Sequence, residues 1–202
     1  MKADLSEATV TTPAPPKRSN WLRETLIVVV VALAAALLLR TFVVQTFYIP
    51  SGSMEPTLQI GDRILVDKLA YHLHGVDRGN IVVFRRPADE DCGGPPVADL
   101  VKRVIGLPGE TISLGKGHVY IDGKLLNENW LPASVQGTTF PGPTGPAYNL
   151  TKPYVIPSNE YFVMGDNRSD SCDSRYWGPI SKSLIVGKVD VRVWPITSFH
   201  FF

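Results

Sequence analysis

The feature that most constrains this chain is an uninterrupted apolar run near its N-terminus, from Leu26 to Leu39. A bilayer-spanning helix needs about 20 residues. Extending the run to Thr25–Val44 reaches this length with one charge, Arg40, whose long side chain can reach the headgroups. The sequence therefore predicts a single transmembrane anchor over residues 21–44.

The charges that flank the run predict its orientation. Lys17, Arg18 and Arg23 shortly precede it, whereas only Arg40 follows it before Arg63. Because basic residues are retained on the cytoplasmic side, we expect a cytoplasmic N-terminus and an extracytoplasmic remainder. Residues 1–20 are polar and proline-rich and are expected to form a disordered tail.

Two other interpretations of the run are open, a cleavable signal peptide and a buried core helix. The small residues Ala32–Ala36 would suit a cleavage site. However, three leucines still follow them inside the apolar run. We therefore favour the anchor.

The rest of the chain, residues 45–202, has the pattern of an all-β domain. The 17 glycines and 17 prolines favour short strands joined by turns. Short β-branched or alternating runs predict eight strands: 42–49, 63–69, 80–85, 100–105, 110–114, 118–121, 160–164 and 184–194. Asp122-Gly123 marks a tight hairpin. Residues 128–158 lack alternation and are interpreted as an irregular excursion from the sheet.

Composition excludes some classes of function. Twenty Lys and Arg residues balance 19 Asp and Glu residues, so no basic surface is expected for nucleic acid. Two cysteines, Cys92 and Cys172, are too few and too far apart for a zinc ribbon or a CxxC redox site, but they suffice for one disulfide.

Three segments carry side chains suited to catalysis. The first, residues 49–58, ends a strand in a Ser51-Gly52-Ser53 bend, which can project a hydroxyl from the sheet. The second, residues 99–106, places Lys102 among aliphatic residues of a strand, where poor solvation favours the neutral amine. The third, residues 165–178, follows a strand and is rich in hydroxyls, carboxylates and guanidinium groups. Each segment alone is also compatible with an ordinary turn or a solvated strand.

Together and in this order, the three segments resemble those of bacterial type I signal peptidases. The resemblance extends from about Arg40 to Trp194 and depends on three motifs: Ser-Gly-Ser-Met-Glu-Pro-Thr at 51–57, Lys-Arg-Val-Ile-Gly-Leu-Pro-Gly-Glu at 102–110, and Gly-Asp-Asn-Arg followed by Ser-Cys-Asp-Ser-Arg at 165–175.

The resemblance implies a role for each matching residue. Ser53 would be the nucleophile and Lys102 its general base, while the Ser51 hydroxyl and the Ser53 amide would form the oxyanion hole. Ser171 would orient the lysine, and Asp173 and Arg175 would support the site. The family often has Arg-Asp-Asn or Arg-Asn-Asn where this chain has Arg168-Ser169-Asp170, so no role carries over to residues 169 and 170.

The resemblance also implies the fold, the substrate and the location. The fold would be a strongly coiled, mostly antiparallel β-sheet. The substrates would be exported preproteins, cut after a small-x-small site such as Ala-x-Ala. The enzyme would act without a metal or other cofactor, as a single-pass protein of the bacterial cell membrane. We further expect a monomer whose partners are the preproteins and the lipid bilayer.

The two cysteines are predicted to pair. Cys92 lies ten residues before Lys102, and Cys172 lies in the loop expected to contact the same lysine. Segments that converge on one side chain can bring their cysteines within bridging distance. An exported domain would keep the bond oxidised.

Several alternatives stay open at this point. The main one is a membrane-anchored, non-catalytic β-domain that binds exported proteins. A Ser-His-Asp hydrolase, a metal site at His72 and His74, and a sortase-like enzyme using Cys172 are less favoured, because the local sequence context of each is missing. Soluble self-cleaving repressors share the Ser/Lys pair but carry a DNA-binding domain where this chain has its apolar run.

Overall fold

A computed structural model describes residues 21–93, 97–142, 148 and 150–202, without the side chains of residues 38–42. The chain divides near residue 38 into two units. The first contains most of helix α1, Trp21–Phe42, whose described apolar side chains are exposed. Within the described residues, no helix meets the length and hydropathy needed to cross a membrane. The predicted tail, residues 1–20, lies outside the described residues.

The regular structure of the second unit is mostly β-strand, which confirms the all-β class predicted for residues 45–202. All eight predicted strands are present, with ends within two residues of those expected. The strands are β1 Val44–Tyr48, β2 Arg63–Asp67, β3 Ile81–Arg85, β4 Asp99–Gly106, β5 Thr111–Gly115, β6 His118–Ile121, β7 Lys124–Leu125, β8 Tyr154–Val155, β9 Glu160–Met164, β10 Ile180–Ser181, β11 Ile185–Trp194 and β12 His200–Phe201. Val44, predicted to end the anchor, instead begins β1.

The strands form two antiparallel sheets. The larger sheet has the order β1-β2-β11-β3-β4-β9-β10, with β12 added to β11. The smaller sheet has the order β7-β6-β5-β8. Its β6–β7 turn is the predicted Asp122-Gly123 hairpin, and both residues have positive φ. The strong coiling expected of the fold stays a prediction.

Strand β3 shows why the larger sheet is stable. Its residues Ile81, Val82, Val83 and Phe84 are all buried, with at most 1 % exposure. Ile81 and Val83 pack into one apolar cluster, whereas Val82 and Phe84 pack into another on the opposite face. Strand β3 is therefore covered on both faces, and its neighbour β4 carries Lys102 and Arg103 between the same two layers.

The predicted excursion, residues 128–158, contains one short strand in its described part, β8. Two short helices occur elsewhere in the second unit, α2 Ala70–Leu73 and α3 Ser174–Trp177. Asp173 caps the N-terminus of helix α3, and its carboxylate accepts a hydrogen bond from the Arg175 amide at 3.2 Å. Helix α3 therefore starts within the third motif.

Candidate active site

Ser53 lies in a tight turn that continues from the end of β1. The backbone of Ile49 pairs with that of Asp62 and Gly61, with N–O distances of 2.9 Å, so the chain is fixed just before the turn. Residues Gly52–Met54 then form a short 3-10 helix. Its last side chain, Met54, is 1 % exposed and packs into the core, which leaves the neighbouring Ser53 side chain partly accessible.

The loop after β9 holds this turn from the other side. The Asn167 amide donates to the Ser53 carbonyl at 3.1 Å, and the Asn167 side chain donates to the Gly52 carbonyl at 3.2 Å. Asn167 has no role among the sequence predictions, although it stands in the third motif. Its contacts depend on the fold, because 115 positions separate Asn167 from Gly52.

The structure brings together the two residues predicted as nucleophile and base. Lys102 Nζ lies 2.7 Å from Ser53 Oγ, within hydrogen-bonding distance. The Ser51 and Ser53 hydroxyl oxygens are 3.5 Å apart. Ser51 is exposed and lines the same cleft as Ser53.

The environment of Lys102 favours its neutral form. The side chain lies on β4, where Lys102 pairs with Val82 of β3, and is 4 % exposed. Burial is the largest effect and lowers the pKa of Lys102 to about 8; the Arg175 charge acts in the same direction, while the Asp173 charge opposes it. A substantial fraction of Lys102 is thus neutral at mildly alkaline pH, as its predicted poor solvation requires.

Asp173 and Arg175 form a buried ion pair beside the lysine. Arg175 Nη2 and Nε donate to the Asp173 carboxylate at 2.7 and 2.8 Å. Burial raises the pKa of Asp173, but the hydrogen bonds and charge of Arg175 outweigh it, so the pKa of Asp173 lies below its usual value. The pair places fixed charges near Lys102.

Ser171, predicted to orient Lys102, is buried in the same loop at 4 % exposure. Its hydroxyl has no hydrogen-bond partner among the described residues. It packs against Gly165, where even a methyl group would clash with it. Gly165 thus lets the Ser171 loop approach the Ser53 turn closely.

An open cleft of about 380 Å³ runs past Ser53 and Lys102. One wall is the segment Ile49–Met54, and another is the start of β4, Asp99–Val101. This part of β4 pairs with β3 on one side, whereas β9 pairs only from Arg103 onward. An unpaired strand edge can bind an extended peptide through backbone hydrogen bonds. The cleft can therefore present a peptide carbonyl to Ser53.

Cys92 and Cys172 line the same cleft and are joined by a disulfide, with Cα atoms 6.1 Å apart. Cys172 lies next to Ser171, and the bond links its loop to the segment before β4. Among the described residues, one group has ligand atoms close enough together to share a cation: Glu90, Cys92 and Cys172. Since both sulfurs are in the disulfide, this group offers only one carboxylate. His72 and His74 lie in and just after helix α2, rather than on a strand.

Three buried charged residues near the site carried no role in the sequence analysis. Asp166 binds Arg103 through two hydrogen bonds of 2.8 and 2.6 Å. Arg168 contacts Glu128 of the excursion at 2.5 Å and donates to Thr139 at 3.1 Å. Asp166 and Arg168 stand in the third motif, which could have identified them. Glu128 carried no signal in the sequence.

The site has the serine, the buried amine and the peptide-sized cleft of a serine peptidase, and comparisons with known proteins agree. Residues 22–194 match the family described as Signal peptidase, peptidase S26. A probable signal peptidase I-2 of Synechocystis sp. is 41% identical over 181 residues, which cover 90% of this chain and 77% of the relative. A signal peptidase I of Leptolyngbya laminosa is 37% identical over 182 residues, covering 90% and 84%.

Relatives from other bacteria are similar over most of their length. A signal peptidase IB of Staphylococcus aureus is 36% identical over 187 residues, covering 89% of this chain and 93% of the relative. A crystal structure of a signal peptidase I from Enterococcus faecalis is 30% identical, with a TM-score of 0.42, and covers 57% of this chain and 97% of that one. The chain belongs to the signal peptidase family, peptidase S26.

Proposed function

We propose that this protein is a membrane-bound serine endopeptidase that removes signal peptides through an acyl-enzyme on Ser53, with Lys102 as general base. The observation that carries the proposal is the 2.7 Å contact between Lys102 Nζ and Ser53 Oγ inside a peptide-sized cleft. Removal of signal peptides is the activity named in the relatives.

The chemistry follows from the protonation states of the pair. Neutral Lys102 accepts the Ser53 proton as Oγ attacks the scissile carbonyl. The same proton then passes from the Lys102 ammonium to the leaving amine, and the acyl-enzyme forms. Lys102, neutral again, activates the water that hydrolyses the ester. A base that is neutral near pH 8 suits both steps.

Ser51 and the Ser53 amide are proposed to stabilise the oxyanion. The Ser51 hydroxyl lies 3.5 Å from Ser53 Oγ, and Ser51 is exposed in the cleft lining. A donor aimed at the developing negative charge contributes about 3 kcal/mol to the rate in other acyl-transfer enzymes. Ser51→Ala should therefore reduce kcat more than it raises KM.

Ser171, Asp173 and Arg175 are proposed to hold Lys102 in place. A buried hydroxyl without a partner among the described residues is available to the lysine amine as donor or acceptor. The Asp173–Arg175 pair fixes the loop that carries this hydroxyl. Ser171→Ala is expected to lower kcat, with the fold intact.

We propose exported preproteins as substrates, cut after a small-x-small sequence. The cleft has apolar walls, contributed by Ile49, Leu100 and Val101, beside the free edge of β4. An extended substrate strand there would turn alternate side chains toward these walls. Small side chains at the first and third positions before the cut would then fit closely.

The membrane location and topology are also part of the proposal. A 22-residue helix, α1, contains the long apolar run. In the β unit, exposed apolar side chains gather near the end of β1 that leads to Ser53: Tyr48, Ile60, Trp194, Ile196, Phe199 and Phe201. We infer that α1 anchors the protein with a cytoplasmic N-terminus and that this apolar surface favours contact with lipid, in a monomer that meets tethered substrates at the extracytoplasmic face.

Incubation of purified protein with a preprotein in lipid or detergent tests the function. Wild-type protein should release the mature chain, and Ser53→Ala should not. Cleavage by Ser53→Ala would reject the proposed nucleophile. Absence of cleavage by the wild-type protein, with preprotein binding retained by both proteins, would favour the non-catalytic binding domain.

A further inference from the structure

A second cavity, of about 530 Å³, borders the Ser53 turn away from the cleft. Glu55 and Pro56 line it on one side, and residues 132–138 of the excursion line it on the other. The loop 167–170 contributes Asn167 and Ser169 to this cavity and Asp170 to the cleft. The Ser53 turn and this loop therefore form the boundary between the two spaces.

A peptide cut at Ser53 must extend in both directions from the scissile bond. If the cleft along β4 holds the part before the cut, the part after it must leave across the Ser53 turn. At about 3.3 Å per residue, the first three residues after the cut span about 10 Å, enough to enter a neighbouring cavity. We propose that the second cavity binds the first residues after the cut and that Glu55 selects among them by charge. This inference rests on the proposed endopeptidase function.

The walls of the cavity are connected to one another. Asn167 bonds to the carbonyls of the turn, as described above. The adjacent Arg168 contacts Glu128 and Thr139, which flank the excursion wall. Within that wall, the Gln136 side chain donates to the Leu131 carbonyl at 2.8 Å. A cavity with tied walls can discriminate between side chains, because it does not simply open to admit any of them.

Glu55 is the charged residue of this cavity that has no ion-pair partner among the described residues. Arg168, which also lines it, is 1 % exposed and is matched by Glu128. Glu55 forms no ion pair with any described residue, and its carboxylate folds back toward Gly52: a methyl group added to Gly52 would lie 3.3 Å from Glu55 Oε1. The negative charge therefore lies beside the residue that precedes the nucleophile. Basic side chains after the cut should be favoured there and acidic ones disfavoured.

The test uses the full-length protein in detergent and three peptides. The peptides share an Ala-x-Ala cleavage site and differ only in Lys, Gln or Glu at the second residue after the cut. Replacing Lys by Glu changes an attraction into a repulsion, so we expect kcat/KM to fall by about fivefold for wild-type protein at low salt. The preference should shrink at about 0.5 M salt, because exposed charges are then screened.

Two variants assign the preference to this cavity, and a third controls for net charge. Glu55→Gln should reduce the Lys-to-Glu ratio to about one. Ser134→Lys, at an exposed position of the opposite wall, should lower or reverse the ratio without removing any contact. Asp122→Asn removes the same charge from the β6–β7 turn and should leave the ratio at its wild-type value. Asn tolerates the positive φ of this position.

The outcomes separate this inference from the proposed function. Equal cleavage of all three peptides by the wild-type protein would overturn the inference, as would an unchanged preference in both Glu55→Gln and Ser134→Lys. Either result would leave the endopeptidase intact, provided that Ser53→Ala abolishes cleavage. Failure of the wild-type protein to cut any of these peptides or a preprotein would instead reject the proposed function.

Discussion

Lys102 and Arg103 are adjacent residues of β4 whose basic groups are buried on opposite faces of the sheet. Arg103 keeps its charge there, whereas burial favours the neutral form of Lys102. Both side chains are almost fully buried, at 4 % and 5 % exposure. Arg103 binds Asp166 through two short hydrogen bonds, donates to the Gly79 carbonyl and stacks over Trp130, with 5.6 Å to the ring centroid. Lys102 instead contacts the Ser53 hydroxyl.

The difference shows two ways in which a fold can accommodate a buried cation. On the Arg103 face, a carboxylate in bidentate geometry compensates the lost hydration, and the charge is kept. On the Lys102 face, burial outweighs the nearby Asp173 carboxylate, so the pKa of the amine falls to about 8 and its neutral form becomes accessible. Arginine cannot lose its proton in a protein, whereas lysine can. The first face therefore serves stability and the second suits proton transfer.

The largest expected effect is on activity. Ser53→Ala and Lys102→Ala should each reduce preprotein processing by about 10⁴-fold, and the double variant should be little worse, because the two residues act as a unit. Lys102→Arg should be equally inactive, since it places a permanent charge on the Lys102 face. Circular dichroism would verify the fold, and Lys182→Ala, in a separate turn, is the control. A Lys102→Ala protein with a tenth of wild-type activity would disprove the dyad.

The next effect is on stability, and its sign should differ between the two faces. Arg103→Met leaves the buried Asp166 carboxylate uncompensated and should lower the free energy of unfolding by about 3–5 kcal/mol. Lys102→Met removes an amine whose depressed pKa costs stability. That cost is fully present below pH 8 and disappears as the pH rises through the unfolded pKa. Lys102→Met should therefore raise the free energy of unfolding by about 1–3 kcal/mol at pH 7.

Urea denaturation of the intact protein, followed by a spectroscopic signal of the β unit, would measure both changes. Losses of similar size at the two positions would mean that Lys102 is buried as a charged, paired residue. Repeating the measurement near pH 10 sharpens the contrast, because the gain from Lys102→Met should shrink there while the loss from Arg103→Met should persist.

The sequence predicts the environment of Lys102 much better than that of Arg103. Alternation along β4 places Lys102 with Leu100 and Val104, and strand neighbours alone indicate a poorly solvated amine. The burial of Arg103 depends on Asp166, 63 positions away, and on Trp130 from the excursion. Local patterns contain no information on such pairings. The same reason explains why motifs identify Ser53 and Arg175, whereas Glu128, in a segment without alternation, has no signal.

Removal of the disulfide would perturb only the Lys102 face of β4. Cys92 and Cys172, 80 positions apart, flank the cleft, and nothing comparable borders Arg103. A loop of this length corresponds to about 4 kcal/mol in the chain-entropy model, and removal of native disulfides typically costs about 2–5 kcal/mol. We predict that Cys92→Ser/Cys172→Ser lowers stability by an amount in this range and activity by several-fold. Non-reduced, alkylated protein analysed by mass spectrometry tests the bond itself: alkyl groups on both cysteines would exclude it.

The pH dependence of activity tests directly whether Lys102 acts as a neutral amine. Only the unprotonated amine can accept the Ser53 proton, so kcat/KM should rise with pH through an apparent pKa of about 8 and level off above it. Between pH 6 and pH 8 the neutral fraction, and hence the rate, should increase about fiftyfold. An inflection near 10.5 would mean that burial does not act on Lys102, and one near 6.5 would indicate a histidine base.

The Asp173→Asn variant should shift the inflection of this pH profile in a direction that follows from the charges around Lys102. In the wild-type protein the Asp173 charge holds the pKa of Lys102 up, while the Arg175 charge lowers it. Removing the carboxylate abolishes the first effect and leaves Arg175 unmatched, and both changes lower the pKa. The inflection should therefore move below 8, whereas Asp166→Asn, whose carboxylate binds Arg103 on the other face, should move it less. An equal shift in the two variants would show that the two faces of β4 are not electrostatically separate.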